Sequence, residues 1–241
     1  MFDHVTIRAS DVAASKRFYD TVLAVLGLER HPAGKYLEWG DFSLAEPSPE
    51  HPITRRLHVA FRADSRDLVN EFWRVGTEAG YTSDGEPGPR PEYSPTYYGA
   101  FVLDPDGNSA EAVHHDTARP GEMDHLWLRT PDIAAQKRFY DAVAPVTGWR
   151  VVHDEPERFR LTDGRGSFSF VAGEPVTEHV HLAFAASDNG TVDEFHRVAL
   201  AAGYRDNGGP GERPQYHPGY YGAFVFDSDG HNVEAVFHDR R

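Results

Sequence analysis

Cysteine is absent, which excludes disulfides, thiolate metal ligands and a cysteine nucleophile. Positive charge is scarce. Only 24 Lys and Arg stand against 38 Asp and Glu, a formal net charge of -14. A chain this acidic repels phosphate backbones and anionic headgroups, so neither nucleic acid nor a membrane surface is an expected partner. No apolar run is long enough to span a bilayer. The opening Met1 to Val5 lacks a basic n-region and an apolar h-region, so no signal peptide is expected and the cytoplasm is the expected location. There is no phosphate-binding glycine loop, no Gly-x-Ser-x-Gly elbow and no His-Glu-x-x-His. What is present is enough apolar residue, 39%, to build a core.

The chain repeats itself, and a repeat dictates the architecture. Asp3-His4-Val5 matches Asp124-His125-Leu126, and Lys16 to Asp20 matches Lys137 to Asp141 identically. Further on, Leu57-His58-Val59-Ala60-Phe61 matches Val180-His181-Leu182-Ala183-Phe184. Tyr97 to Val102 matches Tyr220 to Val225 identically. Asp104-x-Asp106-Gly107-x-x-x-Glu111 matches Asp227-x-Asp229-Gly230-x-x-x-Glu234. These matches predict two like domains, residues 1–117 and 122–241, joined through Ala118-Arg119-Pro120-Gly121.

Within one copy, alternation marks a strand over Phe2 to Arg8. Ser10 or Asp11 then caps a helix running to about Val25, with Gly27 as its stop. Its stripe of Val12, Tyr19, Val22, Leu23 and Leu26 is a core face. Tyr36 to Ala45 reads as a hairpin about Gly40-Asp41, and Leu57 to Arg62 as a strand. A second helix follows from Ser65 to Ala79, and then a Gly/Pro-rich loop from Gly85 to Pro91. Strands Tyr97 to Leu103 and Ser109 to His114 close on the turn Pro105-Asp106-Gly107-Asn108.

Side chains alternate across a strand, so the parity of each strand assigns its faces. Val5 and Ile7 share one face, and Phe2, His4, Thr6 and Arg8 the other. Likewise His58 and His181 oppose the aliphatic residues of their strands. Glu111 and Glu234 sit between small apolar neighbours, where an unpaired carboxylate costs several kcal/mol. Two imidazoles and one carboxylate on a concave sheet face suit a divalent ion and leave positions open for substrate, water or dioxygen. Against this, a lone strand histidine is more often plain structure; the recurrence in both copies raises the metal reading to a par with it, and the residues alone leave both open. Arg8 and Arg129 share a face with the first histidines and are candidates for binding an anionic substrate group, or for a barrel-end ion pair. One tyrosine of each pair Tyr97-Tyr98 and Tyr220-Tyr221 should face inward, as packing or as a proton donor. His217, which aligns with Ser94, is a catalytic candidate for the second copy alone, and His179 is a rival ligand to His181.

The motifs Asp-His-Val, Phe-Tyr-Asp, Leu-His-Val-Ala-Phe and Ala-Phe-Val-x-Asp-x-Asp-Gly-x-x-x-Glu-Ala-Val resemble those of the vicinal oxygen chelate superfamily. That superfamily takes in glyoxalase I, extradiol dioxygenases, fosfomycin-resistance thiol transferases and bleomycin-resistance proteins. The resemblance covers nearly the whole chain, twice. It implies an α+β fold of tandem glyoxalase-like domains, each of two βαβββ modules forming a half-open barrel around a metal. It puts the metal ligands at His4, His58, Glu111, His125, His181 and Glu234. Both arrangements of such a site, within one copy or exchanged between copies, occur in the superfamily. Glyoxalase I has a fourth ligand on the strand matching Phe42 to Glu46 and Phe168 to Ala172; here only Glu46 is available, and in the first copy alone. The pattern is nearer the three-ligand members. The resemblance therefore implies an enzyme using Fe, Mn, Zn or Ni on a small oxygen-chelating substrate, by oxygenation or by a lyase or isomerase step. A monomer of two domains or a homodimer is expected. The alternative is a small-molecule binding or resistance protein with a vestigial site.

Overall fold

The computed structural model describes residues 2–116 and 122–239, so the linker predicted at 118–121 falls outside it. The chain is four successive βαβββ modules. The first is β1 (Phe2–Arg8), α1 (Val12–Leu23) with a 3-10 turn over Ala24–Leu26, β2 (His31–Ala33), β3 (Tyr36–Trp39) and β4 (Phe42–Ala45). The second is β5 (His58–Arg62), α2 (Arg66–Glu78), β6 (Ser83–Pro89), β7 (Tyr98–Leu103) and β8 (Ser109–His114). The third is β9 (Met123–Thr130), α3 (Ile133–Thr147), β10 (Arg150–Glu155), β11 (Arg158–Thr162) and β12 (Ser167–Ala172). The fourth is β13 (His181–Ala185), α4 (Asn189–Ala201), β14 (Arg205–Glu212), β15 (Tyr220–Phe226) and β16 (Asn232–His238). Among the described residues, no helix is long and apolar enough to cross a membrane.

Each helix starts where a side chain can accept from a free backbone amide of the first turn. Asp11 accepts from Ala14, Ser65 from Leu68, Asp132 from Ala135 and Asp188 from Thr191. Gly27 ends the first helical segment in the left-handed conformation. Of the predicted stripe, Tyr19, Val22 and Leu23 are fully buried, together with Phe18, while Val12 and Leu26 are half-buried.

Two expectations are corrected. The Gly/Pro-rich segment 85–91 is not a plain loop, because Ser83–Pro89 pairs with β7 as β6. Its ladder shifts register around Gly85 and Gly88. It lies at the end of the strand order, where proline leaves no ladder bond unmade. Phe2 does not share a face with His4, since a register shift between them turns Phe2 the other way. Phe2 stacks on Phe184 and packs against Trp149 and Phe168.

The Asp-x-Asp-Gly element is a turn lock. Asp104 Oδ1 accepts from the amides of Asp106 (2.9 Å) and Asn108 (2.8 Å), while Tyr19 and Asn108 donate to Oδ2. Asp227 does the same for Asp229 and His231, with Gln136 donating at 2.6 Å.

The chain divides into two compact units: Met1–Thr6 with Leu128–Arg241, and Ile7–Trp127. The division cuts β1 and β9 in mid-strand. The first unit thus takes the start of β1 beside β13, in the order β14-β15-β16-β13-β1. The second takes the start of β9 beside β5, in the order β9-β5-β8-β7-β6.

Candidate metal centres

Three strands meet around one alanine in each unit. In the first unit Ala183 pairs with His4 on one side and Glu234 on the other. His181, two residues back on the same face, completes the set. In the second unit Ala60 pairs with His125 and Glu111, and His58 lies two residues back. A methyl at the centre of the row leaves space above it for three larger side chains. The grouping is therefore exchanged: the first-strand histidine of each copy joins the His and Glu of the other. In both sets the ligand-type atoms lie within 4.8 Å of one another.

The glutamates are deeper than the sequence implies. Glu111 is 0% and Glu234 1% exposed. The hydroxyl of Tyr97 donates to Glu111 Oε1 at 2.6 Å, and Tyr220 repeats this on Glu234 at 2.6 Å. Tyr98 and Tyr221 instead donate to Asn70 and Asp193. Gly99 and Gly222 make the fit possible. A Cβ on Gly222 would lie 2.6 Å from Glu234 Oε1, and one on Gly99 would collide with Glu111.

The other carboxylate oxygen faces the histidines. Glu111 Oε2 lies 3.0 Å from His58 Nε2 and 3.4 Å from His125 Nε2. Glu234 Oε2 lies 3.2 Å from His181 Nε2 and 3.7 Å from His4 Nε2. It is buried and accepts no hydrogen bond. His4 Nε2 and His181 Nε2 are 3.0 Å apart. Their Nδ1 atoms face acceptors, Asp3 Oδ1 at 2.8 Å and the Asn232 carbonyl at 3.2 Å, so each Nδ1 carries a hydrogen and each Nε2 is turned toward the glutamate. Two imidazole nitrogens converging on a buried carboxylate favour a positive species between them. This donor set fits a hard or borderline divalent cation.

Without metal, protons serve that role in the second unit. Burial pushes the Glu111 carboxyl up, but hydrogen bonding to His125 and His58 outweighs it and holds the group at about 2. Burial opposes a charge on His125, yet Asp124 and Glu111 raise it to about 9. Burial, and then the adjacent glutamate, push the Tyr97 and Tyr220 hydroxyls far above the ordinary range, so neither acts as a base.

An outer layer, missed from the sequence, backs each first-strand histidine. The bulge at Asp3 and Asp124 turns these carboxylates onto the ring that follows them, at 2.8 Å and 2.9 Å. His238 and His115 hold the aspartates from behind. The available signal was the Asp-His pair recurring at the head of each copy, with His115 and His238 at equivalent positions.

Other expected residues lie outside the clusters. His179 is exposed with a left-handed backbone (φ 55°), so it precedes β13 and is not a second ligand on the face of His181. Glu46 is exposed, and its carbonyl accepts from Arg8 at 2.6 Å. Arg8 belongs to the second unit while His4 belongs to the first; Arg129 is exposed and belongs to the first unit while His125 belongs to the second.

No curated protein matches the chain significantly. Among solved structures, glyoxalase I from Zea mays is similar at 19% identity and a TM-score of 0.69, over 98% of this chain and 92% of that one. A putative dioxygenase from Bacillus subtilis subsp. subtilis str. 168 is similar at 14% identity and a TM-score of 0.67, over 99% and 85%. At these identities the likeness is one of fold. A family model described as the glyoxalase/bleomycin resistance protein/dioxygenase superfamily matches residues 1–112 and again 122–235. With the motifs, the modules and the matched segments in agreement, the chain belongs to the glyoxalase/bleomycin resistance protein/dioxygenase superfamily, in two tandem copies.

Proposed function

We propose that the protein is a metal-dependent enzyme of the vicinal oxygen chelate type, acting on a small organic substrate that binds through oxygen. The observation that carries this is the convergence of two imidazoles and one buried carboxylate, twice, with their ligand-type atoms within 4.8 Å of one another. His4, His181 and Glu234 hold one divalent ion; His58, His125 and Glu111 hold the other. A bound ion of this kind supplies Lewis acidity and a template for two substrate oxygens. The protein's own groups do the rest. Asp3 and Asp124 fix the ring orientation of His4 and His125. Tyr97 and Tyr220 keep their protons and hold each glutamate by its outer oxygen, leaving the inner one for the ion. Fe, Mn, Zn and Ni all accept this donor set. Oxygenation and lyase or isomerase steps are both consistent with three protein ligands. The names of the fold relatives, a glyoxalase I and a putative dioxygenase, are in keeping with an enzyme.

Elemental analysis of the full chain, purified without chelator, tests the proposal. Two equivalents of a transition metal are expected, falling to one in Glu111→Ala and to none in Glu111→Ala/Glu234→Ala. A wild-type protein with no stoichiometric metal, after incubation with Mn(II), Fe(II), Zn(II) and Ni(II) in turn, refutes it.

A further inference from the structure

The two centres share their inner residues but differ behind them. In the first unit Asp3 uses both oxygens: Oδ1 meets His4 Nδ1 at 2.8 Å and Oδ2 meets His238 Nε2 at 2.9 Å. The chain continues outward. His238 Nδ1 lies 2.8 Å from His217 Nε2, and His217 Nδ1 lies 2.7 Å from the Pro218 carbonyl. The two rings are nearly parallel in plane, 21° apart. In the second unit His115 and His125 both meet the same oxygen of Asp124, at 3.3 Å and 2.9 Å. The residue matching His217 there is Ser94.

We infer that His217 and His238 are positioning residues for His4, and that through Asp3 they tighten metal binding at the centre of the first unit. The inference rests on the metal-centre reading above. Carboxylate and carbonyl oxygens only accept, so Asp3 requires a hydrogen on His238 Nε2 and Pro218 one on His217 Nδ1. The ring-to-ring contact needs a third. His217 thereby fixes how His238 presents its hydrogen to Asp3, and Asp3 fixes His4 as the tautomer with its lone pair on Nε2, aimed at His181 and Glu234. Partners of this outer kind are worth ten- to a hundredfold in metal affinity.

The test measures Mn(II) affinity of the chelator-stripped full chain, from the free-ion resonance during titration. Glu111→Ala leaves the centre of the first unit intact and Glu234→Ala that of the second. Adding His217→Ser, the residue the sister copy already carries, should remove about tenfold of affinity in the Glu111→Ala background and none in the Glu234→Ala background. His217→Gln, whose amide still donates to His238, should restore it; a plain packing role would not respond to that rescue. An unchanged affinity on His217→Ser in the Glu111→Ala background, or an equal loss in both backgrounds, overturns this inference and leaves the metal-centre reading standing. Absence of Mn(II) binding in wild type and both single-centre variants overturns both.

Discussion

The hydroxyl of Tyr97 and the Oε1 of Glu111 lie 2.6 Å apart, on the side of the carboxylate turned away from the histidines. A phenol on one oxygen and two imidazoles on the other leave Glu111 a single usable orientation. Removing the phenol strands a buried charged acceptor, at about 1.5–3 kcal/mol. Tyr97→Phe should therefore lower the denaturation free energy by that amount and weaken metal binding at the second unit alone. A matching loss in Tyr220→Phe should fall on the first unit. Denaturant melts with and without metal check both; an unchanged midpoint would show that the hydroxyl is dispensable.

Gly222 lies where any side chain meets the same carboxylate. We expect Gly222→Ala to fold but to lose one metal equivalent, because the new methyl drives Glu234 off its tyrosine. Metal content against thermal stability decides this. Full metal retention would mean that the strand yields instead of the glutamate.

The pH dependence of the metal-free protein follows from Glu111 and His125. Glu111 is held at about 2 against an ordinary 4.5, so its contribution is present above 4.5 and is lost as pH falls through 2. His125 is raised to about 9 against an ordinary 6.5, so its contribution is complete below 6.5 and is lost as pH rises through 9. The two shifts describe one interaction, on the order of 3 kcal/mol. The stability difference between wild type and Glu111→Ala, both stripped of metal, should peak between about pH 4.5 and 6.5. Adding a divalent ion should move that optimum to higher pH, because the ligating imidazole is the neutral one. A difference flat from pH 4 to 9 would contradict the assignment.

His231 stands where the sister turn has Asn108. Asn108 satisfies both ends of its amide, donating to Asp104 and Thr54 and accepting from Leu57. His231 accepts from Val180 through Nδ1, but its buried Nε2 has no partner. Burial holds the ring at about 4, so it costs stability as pH falls from 6.5 toward 4. His231→Asn should stabilise the fold by about 1–2 kcal/mol at neutral pH, and by more in acid. Thermal melts at pH 7 and pH 5 are the measurement, and a lower midpoint at either would refute it.

Much of this was legible in the sequence because the physics is local. A cap such as Asp11 and a stop such as Gly27 act within one turn, and the alternation around His58 and His181 survives folding intact. The bulge at Asp3 was not legible. It arises when β1 pairs with β13, and it alone reverses Phe2 relative to His4. The β6 strand was hidden for a like reason, since glycine and proline carry no strand signal and the pairing comes from β7. The outer histidines recur at equivalent positions, but their partners were not legible. His238 and Asp3 lie 235 residues apart, and only the exchanged first strand brings them together.

That exchange also bears on how the molecule can be divided. Severing the chain between the copies would leave each fragment with two of the three groups for one ion and the remaining one for the other. Neither fragment could assemble a full set as a monomer, and mixing them should restore both sites by complementation. A single copy would face the same arithmetic and need a twin to complete a set. The fusion of the copies turns that encounter between molecules into an intramolecular certainty.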